Sequence, residues 1–112
     1  MKKIFSRGDV VYAKFDGVGS EQQGVRPAVI VSNNINNKNA KTVVVLPITS
    51  KLTKHNIPTH YIIKTDFLPK TSIVLGEQIR TIDKTRINDT IGHFNTEQMK
   101  RIDKIIKIQM GL

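Results

Sequence analysis

Apolar residues in this chain come in short, β-branched runs, and polar turns break each run before it reaches helical length. That punctuation restricts most of the chain to short strands. Val10 to Phe15 reads as a first strand, opened by Arg7-Gly8-Asp9, and Pro27 to Val31 as a second with its proline at an edge position. Thr42 to Leu46 is a third, and its continuous valine run predicts burial on both faces. Thr59 to Lys64 and Ser72 to Leu75 follow. Glu77 to Thr81 either extends the fifth strand or starts another, and Arg86 to Phe94 holds a short strand near Ile91. Asn33 to Asn39 reads as a turn-rich loop at a hairpin end. Only the C-terminal segment changes period. Asn95 or Thr96 can cap a helix, with Glu97 or Gln98 near its third position, and Gly111 is a natural stop. Met99, Ile102, Ile105 and Ile106 fall on one face of that helix, ready to pack over a sheet, while Ile108 lies off the stripe. The pattern predicts a mainly β protein, a barrel or paired sheets, with a C-terminal helix.

At 112 residues the chain is expected to form one domain, residues 1–112, able to bury a core without staples. It has no cysteine, which removes disulfides and cysteine-ligated metal. The start is basic without the apolar run of a signal peptide, and no apolar segment approaches the roughly 18 residues that span a bilayer. The expected location is the cytoplasm, with no membrane contact. Lys and Arg number 18 against 9 Asp and Glu, a net charge of +9. Such an excess on a small domain implies a polyanionic partner. No acid occurs from Gln22 to Thr65, where Arg26, Lys38, Lys41, Lys51, Lys54 and Lys64 are the charged residues. A one-signed block of this kind is expected to form a positive face.

Arg26 stands out within that block. The polar segment Gly19-Ser20-Glu21-Gln22-Gln23-Gly24-Val25 delivers it to the mouth of the apolar run Ala28-Val29-Ile30-Val31. An always-charged, five-donor fork at the end of a rigid element suits a phosphate. Metal chemistry has little support, because His55, His60 and His93 form no i, i+4 pair and have no carboxylate cluster beside them. No serine sits in a nucleophile elbow. His60 reads as a structural hydrogen-bonding residue, and His55 as an even choice between solvent and phosphate. Two further segments carry chemistry. Leu46-Pro47-Ile48-Thr49-Ser50-Lys51 ends a buried-looking strand in hydroxyls and a cation, and Glu77-Gln78-Ile79-Arg80-Thr81-Ile82-Asp83 offers amide and carboxylate groups able to read base edges. Each also has a plain reading: Arg26 pairs with Glu21, Thr49 caps a turn, and Glu77 pairs with Arg80.

Together with Arg7-Gly8-Asp9-Val10-Val11-Tyr12 and Pro58-Thr59-His60, these segments resemble the MazF/PemK family of toxin endoribonucleases, in its Gram-positive branch. The resemblance runs through nearly the whole chain in order. It implies an SH3-like, half-open barrel of the MazF/CcdB type with a C-terminal helix, working as a homodimer. It implies metal-independent, cofactor-free, sequence-specific cleavage of single-stranded RNA, chiefly messenger RNA. The ends left would be a 2′,3′-cyclic phosphate and a 5′-hydroxyl. It also implies a cognate antitoxin whose acidic segment blocks the groove. Matched by motif, the catalytic residues are Arg26 and Thr49, and the base-contacting loop is Ser20, Glu21 and Gln23. Further RNA contacts fall at Ile57, Glu77 and Gln78, with Ser50, Lys51 and Lys54 beside them. Gln23 stands where members commonly have glycine, and glutamine gives up cheap access to positive φ. Two other readings stand beside this one: a gyrase-binding toxin of the CcdB type, and an SH3-like module that binds RNA without cutting it.

Overall fold

The computed structural model describes residues 3–52 and 57–112. In chain order these form β1 (Asp9–Phe15), β2 (Gly24–Ile30), α1 (Asn34–Asn39), β3 (Thr42–Thr49), β4 (His60–Ile63), β5 (Ser72–Leu75), β6 (Arg80–Asp83), β7 (Ile87–His93) and α2 (Thr96–Met110). Every ladder is antiparallel. The strands follow the order β4-β5-β3-β2-β1-β7, and β6 pairs with β3 off that path. Among the described residues β4 and β7 do not pair, so the barrel is half-open. The strand expected near Ile91 is a full seven residues, and it meets β1 with register shifts on either side of Val11.

Strand β3 is the hub. Thr42 to Val45 pair with β6, Val45 to Pro47 with β2, and Ile48 and Thr49 with β5. Its side chains alternate between two apolar clusters. Val43 and Val45 join Phe5, Val11, Ala13, Phe15, Ala28, Ile30, Ile82 and Ile87 on one face. Leu46 and Ile48 join Val10, Val29, Val74 and the buried stripe of α2 on the other. Burial on both faces is thus the rule for the central strands, as the valine run predicts, although Val44 stays partly exposed.

The helix α2 begins with a capping box. Asn95 accepts from the Gln98 N–H at 2.8 Å, and the Gln98 side chain accepts from the Asn95 N–H at 2.8 Å. It ends at Gly111, which takes the left-handed conformation at φ 72°. Met99, Ile102 and Ile105 are buried, Ile106 packs beside them, and Ile108 is exposed.

Two expectations are corrected. Residues Asn34–Asn39 form a short helix instead of a loop. Asparagine has low helix propensity, but here its amides are employed. Asn33 caps the Asn36 N–H at 2.8 Å, Asn36 donates to the Thr42 carbonyl at 3.2 Å, and the buried Asn37 donates to the Ser32 carbonyl at 2.8 Å. The segment from Glu77 to Thr81 is also not one strand. Gly76–Gln78 is a 3-10 turn, and β6 starts only at Arg80. Gly76 is pressed so close to β4 that a Cβ there would lie 2.7 Å from the Thr59 carbonyl oxygen.

Because Ile102 is fully buried under the sheet, Ile102→Ala is expected to cost about 2–5 kcal/mol of stability. Chemical denaturation of wild type and variant measures this directly. A loss below about 1 kcal/mol would mean that α2 does not anchor the core.

Candidate nucleic-acid interface

Arg26 lies in β2 where the sheet comes apart. The β2–β3 ladder covers only Ala28 to Ile30 against Val45 to Pro47. Beyond it, Gly24 to Pro27 pair with β1 alone, while Ile48 and Thr49 turn to β5. Pro27 and Pro47 flank the last rung, and neither has an N–H to continue it. The gap becomes a hollow of about 280 Å³, lined by Tyr12, Arg26, Pro27, Ile48, Ser50, Leu68, Pro69, Lys70 and Ser72. Its two charged residues are both cations. A second hollow, about 300 Å³, lies on the other side of Arg26 between Gly19 to Gln23 and Lys51. Arg26 belongs to both.

The guanidinium is oriented by its own loop. Arg26 Nε donates to the Gln23 carbonyl at 2.9 Å. Among the described residues it forms no ion pair, with Glu21 or any other acid. The Nη donors are thereby left for an anion.

The loop over residues 16–23 is held by the opposite wall. Arg80 lies over the Phe15 ring at 5.3 Å and donates to the Asp16 carbonyl at 3.1 Å. Arg86 donates to the Asp16 carboxylate at 2.6 Å. That hydrogen bond, and then the positive charge of Arg86, hold the Asp16 carboxyl below the usual carboxylate range. Further along, the Gln78 amide oxygen accepts from the Gln22 N–H at 2.8 Å, and its nitrogen donates to the Ser20 carbonyl at 3.2 Å. The positive φ values here fall on Gly19 at 62° and on Gly24, just past the loop, at 79°, and among the described residues none other than glycine has one. Gln23 therefore sits in ordinary backbone and needs no glycine.

The structure brings Ser20, Glu21, Gln23, Lys51 and Arg26 around one hollow, and Ser50 with Arg26 around the other. Thr49 lies beneath that surface. It is 2% exposed, and its Oγ1 accepts from the Lys51 N–H at 3.2 Å. Glu77 and Gln78 point into contacts within the protein. Glu77 accepts from Thr59 Oγ1 at 3.3 Å and lies 2.9 Å from His60 Nε2, so it does not pair with Arg80. Ile57 is exposed and lines neither hollow. Lys54 and His55 lie outside the described residues. Among the described residues no three His, Asp or Glu side chains gather as metal ligands.

The expected single positive face is divided. Lys38 and Lys41 stand near the start of β3 and Lys51 just past its end. The eight residues of β3 span about 25 Å at strand rise, so the two basic ends are far apart. Sequence reasoning missed Tyr12, Lys70 and the Asp16–Arg86 pair. Tyr12 was legible in the hairpin register, since it pairs with Pro27 beside Arg26. Lys70 approaches from a distant loop, and no local pattern announces it.

The chain is thus a small, half-open antiparallel β protein with an acid-free, basic hollow at a ladder break. The chain matches the model of the PemK-like, MazF-like toxins of type II toxin–antitoxin systems over residues 6–110, and it belongs to that family. It is 42% identical to endoribonuclease EndoA of Bacillus subtilis (strain 168) over 112 residues, covering 97% of each chain. Among solved structures, it is similar to a mycobacterial endoribonuclease in complex with its cognate antitoxin. The TM-score there is 0.76 and the identity 26%, over 99% of this chain and 97% of that one. MazF from Deinococcus radiodurans shares the fold, with a TM-score of 0.85 at 20% identity, over 99% of this chain and all of the other. Among the described residues no helix is long and apolar enough to cross a membrane.

The contact between Arg86 and Asp16 is testable by titration. Replacing Arg86 by alanine is expected to raise the Asp16 pKa towards the usual carboxylate value, read by carboxyl NMR. In the wild type the pair's stabilisation is present above the unfolded carboxylate pKa and fades as pH falls through the lowered folded one. The exposed setting keeps the stability effect small. An unchanged Asp16 titration in the variant would show that the loop is not held there.

Proposed function

We propose that this protein is the toxin of a type II pair and acts as a sequence-specific endoribonuclease on single-stranded RNA in the cytoplasm. The observation that carries the reading is the Arg26 guanidinium, free of any acid among the described residues and set in the hollow at the β2–β3 break with Ser50 and Lys70. The family, and the 42% identity to an endoribonuclease, support it.

RNA supplies its own nucleophile. The 2′-hydroxyl attacks the adjacent phosphorus and the 5′-oxygen departs in line, leaving a 2′,3′-cyclic phosphate and a 5′-hydroxyl. Bases splayed into the second hollow, against Ser20, Glu21 and Gln23, help set that line. Arg26 stabilises the charge that builds on the phosphoryl oxygens and protonates the departing oxygen. A guanidinium is a poor base near neutral pH, which leaves the 2′-hydroxyl proton to another acceptor. Thr49 contributes a hydroxyl from below, and its hold on the Lys51 N–H also fixes the turn that carries Ser50 and Lys51. Lys51 and Ile57 extend the RNA path. No metal or cofactor enters the reaction. The protein works as a homodimer, and an acidic antitoxin segment competes with RNA for the cations.

Purified protein incubated with a long RNA in EDTA is expected to give discrete cuts with 5′-hydroxyl ends. Arg26→Ala should abolish them with the fold intact, and Arg26→Lys should recover little, because a point charge does not replace the fork. Undiminished cutting by folded Arg26→Ala would remove the mechanism. Failure of the wild type to cut any RNA would favour a gyrase-binding toxin or a silent RNA-binding module.

The two hydroxyls separate cleanly. Thr49→Ala is expected to slow cleavage about 10²-fold or more, as loss of a charge-stabilising donor does. Single-turnover rates for Thr49→Ala and Ser50→Ala decide the matter. A wild-type rate in Thr49→Ala with a slow Ser50→Ala would transfer the role to Ser50.

A further inference from the structure

The 3-10 turn Gly76–Gln78 ties the start of β4 to the loop over residues 16–23. On one side, Gly76 N–H donates to the Thr59 carbonyl at 2.9 Å, and the Glu77 carboxylate binds Thr59 and His60. A carboxylate only accepts, so His60 donates through Nε2. His60 has a side chain only 4% exposed, which makes this a fixed point. On the other side, the Gln78 amide uses both its ends on the loop over residues 16–23, accepting from Gln22 N–H and donating to the Ser20 carbonyl. The two bonded loop residues bracket Glu21 and precede Gln23, whose carbonyl orients Arg26.

We infer that Gln78 is a positioning residue: it clasps the recognition loop to a turn anchored by Glu77, and so sets both the base-reading side chains and the aim of Arg26. The inference deepens the ribonuclease reading and rests on it for the activity arm. It replaces the sequence expectation that Glu77 and Gln78 read bases themselves. A side-chain amide has one oxygen and one nitrogen to offer. Here the loop backbone already takes one bond from each, and the Gln22 N–H and Ser20 carbonyl would lose their partner if Gln78 turned to a base. The loop has no other described side-chain tie between Asp16 and Gln23. With glycine at positions 19 and 24 its unclasped form is free to move.

The test uses the full chain with Gln78→Met, which keeps length and loses both hydrogen bonds, and Gln78→Glu, which keeps the acceptor for Gln22 and loses the donor to Ser20. The first readout needs no RNA. The Gln22 amide is expected to exchange with solvent about tenfold faster in Gln78→Met, with a smaller rise in Gln78→Glu, while amides of α2 keep their protection. The second readout is cleavage of matched RNAs that differ by one base at the cut site. Gln78→Met is expected to lower kcat/KM on the preferred RNA about tenfold or more and to shrink the preference at the same base positions that Glu21→Ala affects. Unchanged Gln22 exchange in folded Gln78→Met overturns the clasp. Faster exchange with wild-type rate and preference overturns the positioning role. A wild-type protein that cuts no RNA defeats the functional reading instead, and the exchange arm still decides whether the clasp exists.

Discussion

A β ladder is closed to ligands along its length, because each backbone group already has a partner. Here the ladder between the two innermost strands stops at a rung flanked by Pro27 and Pro47. Proline has nothing to donate beyond that point. The consequence spreads in both directions. β3 turns away to β5, and the start of β2 stays with β1. The space between is the hollow that holds Arg26, Ser50 and Lys70. The site is thus a feature of strand pairing, with its floor supplied by the core residue Ile48.

Rigid packing below this opening is what lets a charged group be aimed. Both faces of β3 and of the Ala28 to Ile30 half of β2 are buried, one in the barrel and one under α2. A guanidinium on such a strand starts from a fixed Cα and needs only its tip restrained, which the Gln23 carbonyl does. The surrounding loop gets its order from the opposite wall, through Gln78, Arg80 and Arg86. Two distant parts of the chain, β2 and the segment of β6 with the turns on either side of it, therefore build one surface.

Much of the fold was legible because its signals are local. The continuous valine run, the Asn95–Gln98 box and the Met99 to Ile106 stripe each specify an element within a few residues. The helix at Asn34–Asn39 was not, since its asparagines are satisfied by Ser32 and Thr42, outside the helix itself. The site was legible in part. Arg26, Ser50, Lys51 and the loop from Ser20 to Gln23 come together as expected. The neighbours of Glu77 and Gln78 were not legible. Their side chains look like base-reading groups in one dimension, and only the approach of Thr59, His60, Ser20 and Gln22 shows that they are occupied. Burial of Thr49 and the arrival of Lys70 likewise depend on long-range closure of β3 against β5.

The bond from Arg26 Nε to the Gln23 carbonyl also joins two tasks that many enzymes keep on separate parts. The backbone that presents the reading side chains is the same backbone that steers the charged tip. If the protein cuts RNA as proposed, an RNA that shifts the loop also swings the guanidinium off the phosphorus. Such an RNA can stay bound through its backbone charge and still react slowly. On that reading, selectivity would be expressed as turnover rather than as grip, and poor targets would occupy the protein without being consumed.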